Sequence, residues 1–387
     1  MSTVLLFCAP APVIVSAEGY NLDVKFVEGM RAHAAAWDGP VRCVLWETPV
    51  TIPFDGVFRP EELGFDLTVL PAGAPVPHHL LDVASVASVS IDMPNFRDTM
   101  TVARAKSVPV VLTLEYTLET RLRIVWLDEG VGLPRRLRRS LWQLSHERRL
   151  RAAMRAAAGV QFNGYPAFDA YAPLSRSPMQ YFDNRMKPDL LASDVDMAAR
   201  ATYLRGGAPL RLIHSGRFEP MKGAQDLLPV MAALRAQGVD ATLDIYGSGS
   251  LEGQIRAGLS AFGGSVRLHS AVDFETELVP ISRTQADVFL SCHRQSDPSC
   301  SYLEAMGCGL AVAGYANRMW ARLSADTHAG HAAPMGNIDA LAAIIAGWDR
   351  DREPLITAAN AGLGFARTHD FPDEFNRRMD HLRACAA

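Results

Sequence analysis

Residues 210–223 read LRLIHSGRFEPMKG. The apolar, β-rich run Leu210–His214 ends in Gly216-Arg217; Lys222-Gly223 follow, and a helical pattern covers Ala224–Ala236. The same order of strand, turn and helix returns downstream. Thr242–Tyr246 runs into Gly247-Ser248-Gly249-Ser250 and a helical stretch at Ser250–Leu259. Val288–Cys292 runs into His293–Gly309, with a helical stretch at Tyr302–Gly307. Val266–His269 and Leu310–Gly314 supply two more strands, and Ile338–Trp348 another helix. Continuous apolar strands separated by helices predict a parallel sheet covered on both faces.

The first half keeps this rhythm. Its strand candidates are Val4–Phe7, Val41–Trp46, Leu67–Leu70, Val86–Ile91, Val108–Leu114 and Val160–Phe162, with helical stretches such as Val24–Ala36 and Phe96–Ala105. Residues 175–208 mix turn signals, charge and one short helical piece, which marks a seam. The 387 residues thus divide into two doubly wound α/β domains of about 190 residues each, enough for each to bury its own core.

Composition narrows the function. Lys plus Arg is 38 and Asp plus Glu 42, a net charge of −4, so the chain is not a generally basic nucleic-acid binder. With 49% hydrophobic and 21% charged residues it is not a charge-rich disordered chain. No apolar run reaches the roughly 18 residues of a spanning helix. The first 17 residues lack a leading Lys or Arg and carry Pro10 and Pro12, which predicts a buried first strand instead of a secretory signal. Six scattered cysteines without a CxxC pair fit reduced thiols in a cytoplasm; Cys292, Cys300 and Cys308 read as small buried residues, not zinc ligands.

In open parallel sheets ligands sit beyond the carboxyl ends of the strands, so the segments after the strands carry the chemistry. Gly216–Gly223 gathers one Arg and one Lys where a helix begins. Free N–H groups there favour anions, and a guanidinium fork with an ammonium can hold a diphosphate; a solvated surface loop is the plainer reading. Gly247, Gly249 and Gly253 form a GxGxxxG spacing, which fits a dinucleotide fold. In the third segment Ser301-x-x-Glu304 matches a helix capping box. The other reading is that Glu304 accepts hydrogen bonds from a ribose diol, with the N–H groups of Ser299, Cys300, Ser301 and Tyr302 facing a phosphate or sugar oxygen.

Taken together, the three segments resemble the nucleotide-binding half of the family 4 retaining glycosyltransferases (glycosyltransferase group 1). That family's pattern is a glycine-arginine loop with Lys and Gly a few residues on, a G-x-G loop, then E-x7-E and A-M-x-x-G-x-P-V. The matching residues are Gly216, Arg217, Lys222, Gly223, Gly247, Gly249, Glu304-Ala305-Met306 and Gly309-Leu310-Ala311-Val312, within residues 210–315. The resemblance implies the GT-B architecture, two doubly wound Rossmann-like domains facing a cleft. Residues 1–185 would be the acceptor-binding domain and 205–368 the nucleotide-sugar-binding domain, with a helix in 369–387 as a candidate to pack back on the first. It implies that Arg217 and Lys222 grip the donor diphosphate, that Glu304 binds the ribose, and that the backbone around Arg267 and Leu268 frames the base.

Departures from the pattern bear on the site. The first Glu of E-x7-E falls on Ser296, and Asp297, one position later, is the candidate substitute. Where the family often ends a strand of the first domain with His, Val108–Leu114 leads to Glu115, a candidate for touching donor or acceptor. The glycine-rich loop after the first strand is altered, and Gly19-Tyr20-Asn21 is its nearest equivalent. Asn163 and the stretch Tyr181–Met186 are further candidates for the acceptor side or the hinge, although turn chemistry alone explains Asn-Gly and Asp-Asn pairs. The resemblance implies a nucleotide-sugar co-substrate, UDP-linked in preference to GDP-linked, a glycan, lipid-linked or small-molecule acceptor, and no required metal or other cofactor.

Residues 133–155 hold eight Arg and one Glu, with Leu133, Leu137, Leu141 and Leu144 at helical spacing. Such a segment is a candidate for peripheral contact with an anionic membrane, or else an ordinary amphipathic helix with a solvated basic face. Other functions fit the same residues: a nucleotide-sugar 2-epimerase of the same architecture, a nicotinamide-dependent oxidoreductase using Gly247–Gly253 with Asp273 as the ribose acid, or a sugar-binding protein without activity.

Overall fold

The alternation of strand and helix resolves into two separate parallel sheets. The protein is described as a computed structural model covering residues 3–386 other than 49, 51, 53, 54, 94, 128, 129 and 297. The first sheet is built from β1 (Leu5–Ser16), β2 (Gly19–Asp23), β3 (Val41–Glu47), β4 (Asp55–Phe58), β5 (Asp66–Leu70), β6 (Val86–Ser90), β7 (Val110–Leu114), β8 (Gly159–Asn163) and β9 (Pro178–Tyr181). Its parallel strands run in the order β5-β3-β1-β6-β7-β8-β9. The second sheet, β10 (Leu210–Arg217), β11 (Ala241–Ser248), β12 (Val266–His269), β13 (Val288–Ser291), β14 (Ala311–Tyr315) and β15 (Gly330–Ala333), runs β12-β11-β10-β13-β14-β15. In both sheets the chain winds outward on one side of the first strand, then restarts on the other. The strand order therefore reverses beside β1 and beside β10, the position where such sheets open a ligand crevice.

The first strand is longer than the four residues expected. Leu5–Cys8 pairs with β3 and β6 in the sheet centre, whereas Val13–Ser16 turns back on β2 as an antiparallel hairpin. The seam also contains more than one helical piece: β9 lies in it, followed by the helix Asp194–Arg205. Ser193 and Asp196 cap that helix reciprocally, side chain to backbone in both directions. The last helix, Phe371–Ala386, crosses back to the first sheet, where Phe375, Met379 and Leu382 are buried with Leu5, Val86 and Val111.

The helix Gly164–Tyr171 packs on Arg318–Thr327 across the halves, and the helix Leu118–Leu127, which follows β7, adds polar contacts. Thr120 Oγ1 donates to the Ser296 carbonyl at 3.0 Å, Arg123 donates to the Arg294 carbonyl at 2.9 Å, and Arg318 pairs with Glu119 at 2.9 Å.

Candidate active site

A cavity of about 390 Å³ opens where the carboxyl ends of the two sheets face each other. Arg217 ends β10 and reaches it with no side-chain hydrogen bond or ion pair among the described residues. Lys222 enters from a single turn, Pro220–Lys222, and is 8% exposed. Gly223 makes that turn possible. Its φ is +70°, and a Cβ there would lie 1.7 Å from the Cys292 carbonyl oxygen. Gly247 plays a similar part at the end of β11, where a Cβ would meet the Gly216 carbonyl at 2.0 Å. The two glycines let the β10, β11 and β13 ends pack closely, so that Gly216, Arg217, Lys222 and Gly247 share one wall.

Beneath this wall lies His214, fully buried, its Nδ1 2.9 Å from the Leu290 carbonyl. Burial and the neighbouring Lys222 charge hold its imidazole down to about 4, so it is neutral near pH 7. His293, 1% exposed, lines the cavity from the end of β13.

Glu304 faces the cavity, but not as a helix cap. The helix Ser301–Gly307 begins after Cys300 without a side-chain cap, so the expected Ser301–Glu304 capping box does not form. The carboxylate is instead held by Arg185, whose Nε donates to Oε1 at 2.7 Å and Nη2 to Oε2 at 3.2 Å. The Arg185 guanidinium also lies 3.7 Å over the Phe274 ring. Burial pushes Arg185 down, and the charge and hydrogen bonds of Glu304 more than offset this, leaving it above its ordinary value. Asp183 and Lys25, 3.9 Å apart, stand next to this pair on the first-lobe side. Cys300 lines the same wall, and burial pushes its thiol up to about 12, so it is no thiolate.

Ser299, Cys300 and Ser301 line the cavity, as do Glu115 and Asn163 from the ends of β7 and β8. Asn163 Nδ2 donates to Glu115 at 3.3 Å, and its Oδ1 accepts from the Asp183 N–H at 3.1 Å. Other expected residues lie elsewhere. The Tyr302 side chain is in the core, stacked on Trp320 at 5.2 Å and accepting from Asn317, because the helix turns its apolar face inward. Gly249 packs against the Phe218 backbone instead of facing the cavity. Arg267 pairs with Asp244, and the wall beside β12 is formed by Tyr246, Ala271 and Val272, with Tyr246 stacked on His269 at 4.4 Å.

Gly19, Tyr20 and Asn21 belong to the β1–β2 hairpin. Gly19 and Tyr20 line a separate surface depression with Arg59, and Asn21 bonds Asp55 at 2.7 Å. The hairpin carries them off the cleft, because β1 continues past its sheet partners before turning. Asp297 lies outside the described residues. Ser296 is 1% exposed and its Oγ accepts from the Arg318 N–H at 3.0 Å, which ties the loop to the next helix. Asp273 accepts from the Thr276 N–H and hydroxyl at 2.8 and 2.7 Å, and Gly253 has nothing within 4 Å of a Cβ. Gly253 therefore makes no close backbone approach of the kind a dinucleotide turn uses.

Sequence reasoning passed over Lys25, Tyr116, Tyr246, Phe274 and His293, and gave Arg185 only as part of a hinge stretch. Arg185 and Glu304 are 119 residues apart, so no local spacing joins them. His293 alone had a signal, standing two residues after a buried strand. Among the described residues no group of three or more His, Cys, Asp or Glu is arranged to hold a metal ion.

Residues 209–348 match the model of the family described as glycosyl transferases group 1. No curated protein matches the chain. Among solved structures, Anabaena HepE in complex with UDP is 14% identical, with 99% of each chain covered and a TM-score of 0.64. WaaG, a glycosyltransferase involved in lipopolysaccharide biosynthesis, is 15% identical over 98% of this chain and 99% of its own, with a TM-score of 0.64. Sucrose-phosphate synthase from Thermosynechococcus elongatus is 16% identical over 99% and 98%, with a TM-score of 0.65. At these identities the likeness establishes the fold.

Proposed function

From the premise that this chain is a glycosyltransferase of GT-B architecture with a group 1 domain at residues 209–348, we propose that it moves a sugar from a UDP-linked donor to an acceptor with retention of configuration. One observation carries this reading: Arg217, Lys222 and Glu304 line a single cavity at the strand-order switch of the second sheet. As the glycosidic bond breaks, negative charge develops on the leaving diphosphate. Arg217 and Lys222 stabilise it most when the cleft excludes water. Glu304, oriented by Arg185, accepts the ribose hydroxyls, and Tyr246 with Val272 borders the base. Glu115 and Asn163, on the first-lobe wall, face the reacting sugar. Retention follows from attack on the face the leaving group departs, with no protein nucleophile. The UDP complex of the HepE structure supports the choice of nucleotide.

The acceptor stands on the first-lobe side. The outward leucines of the helix Leu133–Ala156, 47–69% exposed, support peripheral contact with an anionic membrane surface. Among the described residues no helix is long and apolar enough to cross a membrane. Six free thiols accord with work in the cytoplasm.

The deciding experiment is a thermal-shift panel of UDP-, GDP- and dTDP-sugars, followed by NMR of the product anomer with the donor that binds. A stabilising UDP-sugar and a product of unchanged anomeric configuration are expected; no shift with any UDP-sugar, or an inverted product, overturns the reading. Sedimentation with anionic liposomes at low salt tests the membrane contact, and protein left in the supernatant removes it.

A further inference from the structure

In a chain of net charge −4, the helix Leu133–Ala156 carries eight arginines and a single acid. That acid, Glu147, is turned inward. Arg121 donates to it, as do Arg151 at 2.7 Å and the Tyr171 hydroxyl at 3.2 Å. It does not reach the outer face, where Arg135, Arg138, Arg148 and Arg149 form no ion pair among the described residues. Arg135, Arg138, Trp142, His146 and Arg149 follow at three- or four-residue steps and share one helix face. At ~1.5 Å per residue that face is about 21 Å long.

This face is concave ground. Three cavities of about 1100, 680 and 700 Å³ lie along it. Trp142 and Gln143 border both the first and second, and Arg97 and Arg149 border both the second and third. Tyr116 borders the second cavity and the catalytic cavity alike, so the track opens into the cleft. Arg97, Arg104, Arg148 and Arg149 form no ion pair among the described residues; among the described lining residues the acids are Asp92, Asp98 and, at the far end, Glu219. Trp142, 57% exposed and stacked with His146 at 4.7 Å, offers a flat apolar face among the guanidinium forks.

We infer that this track holds the acceptor, and that the acceptor is an extended glycan bearing carboxylate, sulfate or phosphate groups. The inference rests on the glycosyltransferase reading, because the track ends at the transfer cavity. Guanidinium groups engage oxoanions through paired hydrogen bonds, and an aromatic face between them suits the apolar side of a sugar ring. A bilayer is the wrong shape: a flat surface does not enter a groove, and the exposed leucines of this helix point away from the arginine face.

The test is calorimetric titration of the full chain with hexagalacturonate and with neutral maltohexaose at about 50 mM salt, where such pairing is weakly screened. Hexagalacturonate is expected to bind at least tenfold more tightly. The double variant Arg97→Ala/Arg149→Ala, both exposed residues, is expected to lose that preference at least tenfold. The control Arg205→Ala/Arg256→Ala, which removes equal charge from the second lobe, is expected to change it less than twofold. Equal affinity for the two oligosaccharides, or equal loss in both double variants, overturns the inference. So does loss of binding to anionic phospholipid vesicles in Arg97→Ala/Arg149→Ala with hexagalacturonate binding intact. UDP titrated into the same samples separates the two proposals: hexagalacturonate binding without UDP binding leaves the track standing and sinks the donor site.

Discussion

In the proposed reaction Arg217 and Lys222 act by their charge, and their separate replacement by Ala is expected to lower kcat/KM by about 10²–10³, the scale of losing one strong transition-state donor. Steady-state rates with the UDP-sugar check this; near-normal turnover in both variants removes them from the reaction. Glu304 differs in kind, because its geometry depends on a partner in the other half of the chain. Glu304→Gln breaks the paired hydrogen bond with Arg185 and is expected to weaken UDP by about 10–100-fold, the worth of a charged hydrogen bond. Binding of 2′,3′-dideoxy-UDP to the variant should change little. If both nucleotides weaken alike, the carboxylate does not read the ribose. The family resemblance singled these residues out, where their loops alone fitted a solvated turn and a helix cap equally; the tie between Arg185 and Glu304 had no signal, since a contact across 119 residues leaves no local pattern.

At the scale of the element, two glycines in the loops proposed to face the diphosphate or just beyond them behave in opposite ways. Gly223 is left-handed and pressed on the Cys292 carbonyl, whereas Gly253 sits in a helix with open space around it. Gly223→Ala is expected to lose about 2–4 kcal/mol of stability from backbone strain and clash. It should also weaken UDP, because the turn that aims Lys222 moves. Gly253→Ala is expected to leave UDP affinity unchanged and to add about 0.5–1 kcal/mol. Urea unfolding with UDP titration checks both, and a Gly253→Ala variant that loses UDP returns weight to the dinucleotide spacing. The central strands followed from apolar runs and turn residues, since those signals are local, whereas the short strands β4, β9 and β15 gave no such run. The β1–β2 hairpin did not follow, because the sequence does not mark where β1 leaves its sheet partners.

Over the whole molecule, each lobe encloses a histidine that folding keeps neutral. Burial, with Arg378 nearby, holds His33 down to about 3, and His214 is held at about 4. An unfolded histidine protonates near 6.5, so the unfolded chain takes up the proton first as pH falls. The stabilisation is complete above about pH 6.5 and is lost progressively toward pH 3–4. Near pH 5 each histidine should already have lost about 2 kcal/mol. Urea unfolding at pH 7 and pH 5 should therefore show a steep fall for the protein. His33→Gln should be less stable at pH 7 but lose less on acidification; an equal fall in both locates the acid sensitivity elsewhere.

The sequence by itself determined the alternation of strand and helix, the two sheets and the strand-to-helix segments that hold Arg217, Lys222 and Glu304, because periodicity, turn residues and glycine act over a few residues. Only the tertiary structure decided that Arg185 holds Glu304, that Tyr302 faces the core and that Gly19–Asn21 lie off the cleft. It also joined the arginines of two helices, Arg97 and Arg149, into one groove leading to the cavity. Those outcomes depend on which surfaces meet when two sheets and a returning helix pack, and packing is set by shape and burial across the whole chain.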